Sequence, residues 1–315
     1  MRIDLTDTDS SAVAAALLDA RRHSGSPAVG MVLTLVVVAT EPDHDEALRA
    51  ATEAAREHPC RILTVIRHSG REKARLDAEV TVGSETGLVE CVVLRLAGRL
   101  GQHADSVVLP LLLPDTPVVV WWPGSAPVDV ADTELGRIAQ RRVTDAASSP
   151  RGGRTLPQRA TTYRPGDTDF AWTRLTPWRT LLAAAIDQNP GRIRGGRVSA
   201  ARGNPSGDLL VSWLQQRLRV KVERVASRGP GITGVSLTVP GGEITLHRPD
   251  GRLATLSRPG DPDRRVSLPR RDISELLAEE LRRLDPDEVY SETLAAHAKR
   301  INGNSGQRKV KKRST

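Results

Sequence analysis

Aromatic residues make up only 3% of this 315-residue chain: one phenylalanine, two tyrosines and five tryptophans. Cysteine is as scarce. Cys60 and Cys91 are the only two, which excludes a disulfide framework and suits a reducing compartment, with both thiols as small buried core residues. A membrane span is excluded too, because the greasiest stretch, Val107 to Trp122, is interrupted by Pro110, Pro114, Asp115 and Pro117. The opening MRIDLTDTDSS has no apolar signal core. A cytoplasmic protein with no membrane partner is therefore expected.

Several chemical signatures are also missing. There is no GxGxxG after a strand, no GxxxxGKS/T, no HExxH and no GxSxG, which argues against nicotinamide, P-loop, zinc-peptidase and serine-hydrolase chemistry in turn. The seven histidines are scattered. His44 reads as part of an acidic helix start, His103 as a solvent-facing helix start, and His58 and Cys60 lack further zinc ligands at diagnostic spacing. The glycine-rich GRIRGG and GPGITG patches have the wrong spacing for a phosphate cradle and read as loops. No catalytic residue, metal site or cofactor is expected.

What is present is an ordinary globular composition, 38% hydrophobic and 27% charged, long enough for two domains. The net charge of +8 is mostly a matter of the last residues, since INGNSGQRKVKKRST holds five of the eight charges. This tail reads as disordered, with weak, salt-sensitive polyanion affinity, and nucleic acid is not otherwise expected as a partner. The remaining body looks nearly balanced.

Periodicity gives the fold class. MVLTLVVVA (31–39) and CRILTVI (60–66) are β-branched runs apolar on both faces, and Asp45 to His58 between them has helical spacing. Strand, helix and strand in about 35 residues predict a right-handed parallel crossover. Further strands are predicted near Leu76–Val82, Val89–Gly98 and Pro117–Trp122. After a Ser/Pro/Gly/Arg-rich stretch come helices from Thr176 and Pro205, strands at Val220–Val225 and Ile232–Val239, a hairpin around Pro249-Asp250-Gly251, a helix opened by an Asp272/Glu275 capping box, and a last helix opened in the same way by the stretch Asp285-Pro286-Asp287-Glu288. The expectation is an α/β fold: an N-terminal α/β domain with a largely parallel sheet (1–145), a linker or long loop (146–168), a C-terminal α+β domain (169–300) and a disordered basic tail (301–315).

Two aromatic clusters stand out in so aromatic-poor a chain. Trp121 and Trp122 close the strand that follows the Pro114-Asp115-Thr116-Pro117 turn, point to opposite faces, and lie at the sheet edge where α/β folds bind ligands and partners. DFAWTRLTPWR (169–179) packs Trp172, Trp178, Arg174 and Arg179 together, the residue types enriched in binding hot spots. The competing explanation is that Trp172 and Trp178 anchor a helix in the core.

VVLPLLLPDTPVVVWWPG, DFAWTRLTPWRTLLAA, LLVSWLQQRL and ISELLAEELRRLDPDEVY, in this order, resemble the glucose-6-phosphate dehydrogenase assembly protein family, OpcA. The resemblance runs through nearly the whole chain and leaves out the basic tail. It implies a non-catalytic accessory protein whose partner is glucose-6-phosphate dehydrogenase and which promotes assembly or allosteric activation of that enzyme in the oxidative pentose phosphate pathway. The dehydrogenase's own Arg-Ile-Asp-His-Tyr stretch is absent, since Arg2-Ile3-Asp4 continues with Leu5. With that partner, the expected partner-binding residues are Asp115, Trp121, Trp122, Trp172, Arg174, Trp178 and Arg179. The alternative is a sugar-phosphate-binding enzyme or sensor in which Arg174 and Arg179 hold the phosphate.

Overall fold

The computed structural model describes residues 1–24, 30–68, 72–84, 87–149, 155–188 and 191–311. In chain order the first elements are β1 (Arg2–Leu5), α1 (Ser10–Ser24), β2 (Leu33–Ala39), α2 (His44–Ala54), β3 (Cys60–Arg67), β4 (Arg75–Ser84), β5 (Gly87–Ala97), α3 (Ala104–Val108), β6 (Val118–Trp122), α4 (Glu134–Arg137) and β7 (Arg141–Thr144). Next come α5 (Thr155–Thr162), β8 (Asp167–Asp169), α6 (Phe170–Thr173), α7 (Thr176–Asp187), β9 (Gly195–Ala200), α8 (Pro205–Leu218) and β10 (Val222–Ala226). The chain closes with β11 (Ile232–Val239), β12 (Gly242–His247), β13 (Leu253–Ser257), β14 (Arg264–Ser267), α9 (Ile273–Arg282) and α10 (Glu288–Lys311).

These elements form two compact units, each threaded by more than one segment: residues 1–145, 164–168 and 272–286, and residues 146–163, 169–271 and 287–315. The first is built on an eight-stranded sheet of order β1-β4-β5-β3-β2-β6-β7-β8. Its β5, β3, β2, β6 and β7 run parallel, as the apolar runs predict, while β1 and β4 add antiparallel pairs at one side. Val36 sits level with Leu63 on one side and Val120 on the other, so the centre of the sheet is aliphatic. One face packs on α1 through Val13 and Leu17. Before Leu113 the chain forms only α3 and a short 3-10 turn at Leu109–Leu111, because Pro110 has no amide proton to continue a helix.

Helix α9 belongs to this first unit. Asp272 and Glu275 form the capping box anticipated from the sequence, with the Asp272 amide donating to Glu275 Oε2 at 2.9 Å. Buried Glu280 on α9 pairs with Arg141 of β7. A second buried group joins Glu90 to Arg61 (Nε to Oε2, 2.9 Å) and to Arg21 (Nη2 to Oε2, 2.7 Å).

The second unit has a six-stranded sheet of order β10-β9-β11-β12-β13-β14, antiparallel apart from the β10/β9 pair. Val198, Val235, Leu237 and Leu246 give its covered face, packed with Leu210 and Leu214 of α8 and Leu182 of α7. Within this face the guanidinium of Arg248 donates to Leu268 O at 2.8 Å and Ile232 O at 3.0 Å, and lies 4.9 Å from the Trp178 ring centroid. Burial lowers its pKa to about 10, still far above neutrality, so it remains a cation.

Three readings of the chain need revision. Segment 146–168 is not featureless, since it carries α5 and most of β8. Residues 150–154 of that segment lie outside the described residues. Residues 301–311, expected as disordered tail, continue α10, and 312–315 lie outside the described residues. Gly195 and Gly196 begin β9 rather than a loop. A Cβ on Gly196 would stand 2.8 Å from Leu237 Cδ2 and 3.0 Å from Ser236 O, so glycine is what permits that strand pairing.

Candidate functional site

In an open parallel sheet, the strand order places the ligand edge at the carboxyl ends of β2 and β6, where the connections leave to opposite sides. The turn after β2 is Thr40-Glu41-Pro42-Asp43, and the first turn of α2 adds Asp45 and Glu46. Thr40 Oγ1 donates to Asp43 Oδ2 at 2.5 Å. Glu41 accepts from Arg95 Nε at 3.0 Å and lies 3.4 Å from His68 Nε2. His44 is held by Glu41 O, at 2.6 Å from Nδ1, and lies 3.3 Å from Asp45. A helix start that binds phosphate offers free amides and glycine. Here four carboxylates occupy that position, so the geometry favours a cationic or hydrogen-bond-donating partner over a pyrophosphate.

The tryptophans at the neighbouring strand end are buried. Trp121 is 1% exposed and Trp122 3% exposed, the latter packed with Val36, Leu63 and Val120 on the α1 side of the sheet. Asp115, in the turn before β6, is exposed with φ of +55°. The expectation that both indoles stand ready for a partner is thus corrected. Each indole buries a large apolar area inside its own unit, which outweighs what a surface position would gain.

In the second unit the aromatic cluster is likewise interior. Trp172 and Trp178 are each 2% exposed. Trp172 donates Nε1–H to Asp287 Oδ2 at 2.8 Å, stacks near Tyr290 with ring centroids 5.8 Å apart, and carries the Arg179 guanidinium 3.8 Å from its ring centroid. Asp169 is fully buried and gathers the region, accepting from Ala146 N at 3.0 Å, from Ala171 N at 2.8 Å and from Arg159 Nη1. Arg174 closes α6 and Arg179 lies in the first turns of α7, both half-buried. Arg179 also donates to Thr176 Oγ1 at 3.2 Å. The cluster is a packed, hydrogen-bonded anchor, and the core-anchor explanation accounts for Trp172 and Trp178.

A small cleft of about 170 Å³ in the first unit is lined by Leu48, Thr52, Glu79, Thr81, Cys91 and Val93. Burial pushes the Cys91 and Cys60 thiols up to about 12. Neither is a thiolate at neutral pH, and neither is activated as a nucleophile.

Residues 51–161 match a family described as the N-terminal domain of a glucose-6-phosphate dehydrogenase subunit, and residues 165–294 match one described as the C-terminal domain of that subunit. The chain belongs to the OpcA family. Two curated relatives, both named "Putative OxPP cycle protein OpcA", are 26% identical. The one from Synechococcus elongatus aligns over 74% of this chain and 54% of its own length, and the one from Synechocystis sp. over 56% and 41%. The chain spans about half the length of the curated relatives it matches. Among solved structures, the 3-ketoreductase KijD10 from Actinomadura kijaniata in complex with NADP and TDP-benzene is 11% identical, covering 85% of this chain and 95% of its own, at a TM-score of 0.46. A NAD binding oxidoreductase from Klebsiella pneumoniae is 9% identical, with coverage of 85% and 94% and a TM-score of 0.47.

Reasoning from the sequence missed one property of this OpcA chain. The near balance of the body conceals two opposite charges. Residues 1–145 hold 15 lysines and arginines against 21 carboxylates, whereas residues 169–271 hold 18 against 8. Counting charge by segment would have found it.

Proposed function

We propose that this OpcA chain is a non-catalytic accessory protein that binds glucose-6-phosphate dehydrogenase and promotes its assembly or allosteric activation. The observation that carries the reading is the pair of family matches, one in each half of the chain and both described as domains of a glucose-6-phosphate dehydrogenase subunit. The acidic turn after β2 supports it, because Glu41, Asp43, Asp45 and Glu46 would repel a nucleotide's phosphates where a dehydrogenase of parallel-sheet design would hold them. The Trp172–Arg179 region supports it as well, since the Trp172 indole is bonded to Asp287, and Arg179 lies over the Trp172 ring and donates to Thr176, all within their own unit. As an activator the chain must bind the active dehydrogenase more tightly than the inactive form, because a ligand shifts an equilibrium only through differential affinity.

The test is a titration of this protein into purified glucose-6-phosphate dehydrogenase of the same organism at fixed substrate and cofactor. A saturable rise in initial rate, with no rate from this chain alone, is expected. A flat titration together with no complex by gel filtration would remove the reading.

A further inference from the structure

One face of the second unit's sheet is turned away from α7 and α8. Alternation along the strands puts Ser199, Ser236, Thr245, Thr255 and Ser257 on it, all half-exposed, and register lines them across the sheet: Ser236 opposite Thr245, and Thr245 opposite Ser257. The result is a platform of hydroxyl rows that also carries the exposed Val225, His247 and Leu253. Its charged groups are Arg197 on β9 and Arg265 on β14, with Glu223 on β10 and Glu243 on β12.

The two arginines are unlike those on the first unit's sheet. There, Arg2 pairs with Glu79 at 2.9 Å, Arg75 with Asp77, and Arg95 with Glu41 at 3.0 Å. Arg197 and Arg265 are exposed, and among the described residues neither has a carboxylate within ion-pair distance, even though Glu223 lies opposite Arg197 in register and pairs instead with Lys221 at 3.2 Å. They lie in the segment with the 18-to-8 excess of cations. A guanidinium without an internal carboxylate is a ready bidentate site for one from outside.

We propose that this open face of the β10-β9-β11-β12-β13-β14 sheet is a docking surface for an acidic protein surface, with Arg197 and Arg265 taking its carboxylates and the hydroxyl rows supplying hydrogen bonds. It deepens the function proposed above and rests on that reading for the identity of the partner. Protein is favoured over nucleic acid because strands β9 to β14 carry no tryptophan, tyrosine or phenylalanine on which a base could stack.

The experiment uses the full chain, the double variant R197E/R265E, its neutral counterpart R197Q/R265Q, and a tail control K309Q/K311Q/K312Q. Binding to purified glucose-6-phosphate dehydrogenase and to labelled poly-L-glutamate is measured at low and high salt, with melting curves for every variant. The charge reversal is expected to weaken both interactions by about tenfold or more and to flatten their salt dependence, leaving melting unchanged. The neutral variant should fall between, and it replaces the reversal if that one is destabilised. The tail control should bind as the wild type does. Wild-type affinity of the folded variant for the dehydrogenase would overturn the proposal while leaving the accessory function standing. Should the wild type ignore the dehydrogenase yet bind poly-L-glutamate through these arginines, the accessory function fails and the acidic-partner surface stands. Binding of neither probe overturns it. So does loss in the tail control alone, tighter capture of an oligonucleotide by the same arginines, or a wild-type dimer that R197E/R265E dissolves.

Discussion

The indole N–H of Trp172 donates to the carboxylate of Asp287 over 2.8 Å, joining residues 115 positions apart. The same carboxylate accepts the Tyr290 amide at 2.9 Å through its other oxygen, capping the start of α10. Asp287→Ala removes a helix cap and strands a buried indole donor. A loss of about 2–3 kcal/mol is expected, read as a lower urea midpoint at unchanged slope.

Trp122 and Trp172 were candidates for contact with a partner, and burial reassigns them to stability. Trp122→Ala should cost about 3–5 kcal/mol, with Trp122→Phe costing less because most of the volume remains. Chemical denaturation of both variants checks this. A Trp122→Ala protein as stable as the wild type would return the residue to the surface.

Glu280 and Arg141 are each 5% exposed, and among the described residues Arg141 has no other carboxylate partner. Glu280→Gln leaves a buried cation without its counter-charge, and a loss of about 3–5 kcal/mol is expected. Replacing both residues by methionine should restore much of it, since the pair's attraction largely offsets its own desolvation. A thermal melt of the single and double variants separates the two outcomes.

His297 on α10 is fully buried, 3.4 Å from Ser212 Oγ and 3.3 Å from the Arg300 guanidinium. Burial first, and the Arg300 charge second, lower its pKa from 6.5 to about 4. The unfolded chain therefore takes up a proton between those two values while the folded chain does not. Its contribution to stability is present above about pH 6.5 and is lost progressively as pH falls towards 4. Urea midpoints measured through this window should fall with a steeper slope in the wild type than in His297→Gln.

Cys60 and Cys91, with thiols pushed up to about 12, should resist iodoacetamide at mildly alkaline pH in the native protein and react readily once it is unfolded. Mass spectrometry of the alkylated protein gives the answer directly.

The sequence by itself determined the elements whose signal is local. β2 and β3 announce themselves as β-branched runs apolar on both faces, and α8 is bounded by Pro205 and the end of its apolar stripe at Leu218. Asp272 and Glu275 mark the start of α9 because a cap is a bond between near neighbours. Family membership was legible for a related reason, the long Trp-bearing stretches being distinctive in themselves. Short strands such as β1 and β7 were not legible, since four residues carry too little period to stand above their surroundings. Burial was decided only by the tertiary structure. Whether Trp121 faces solvent or core depends on which elements return to cover its strand, and α9, which does return to that unit, lies more than 150 residues further on in the chain. The same holds for Arg197 and Arg265. Their charges are plain in the sequence, but that they share one open sheet face with no carboxylate within ion-pair distance among the described residues follows from strand order and register, which long-range pairing alone decides.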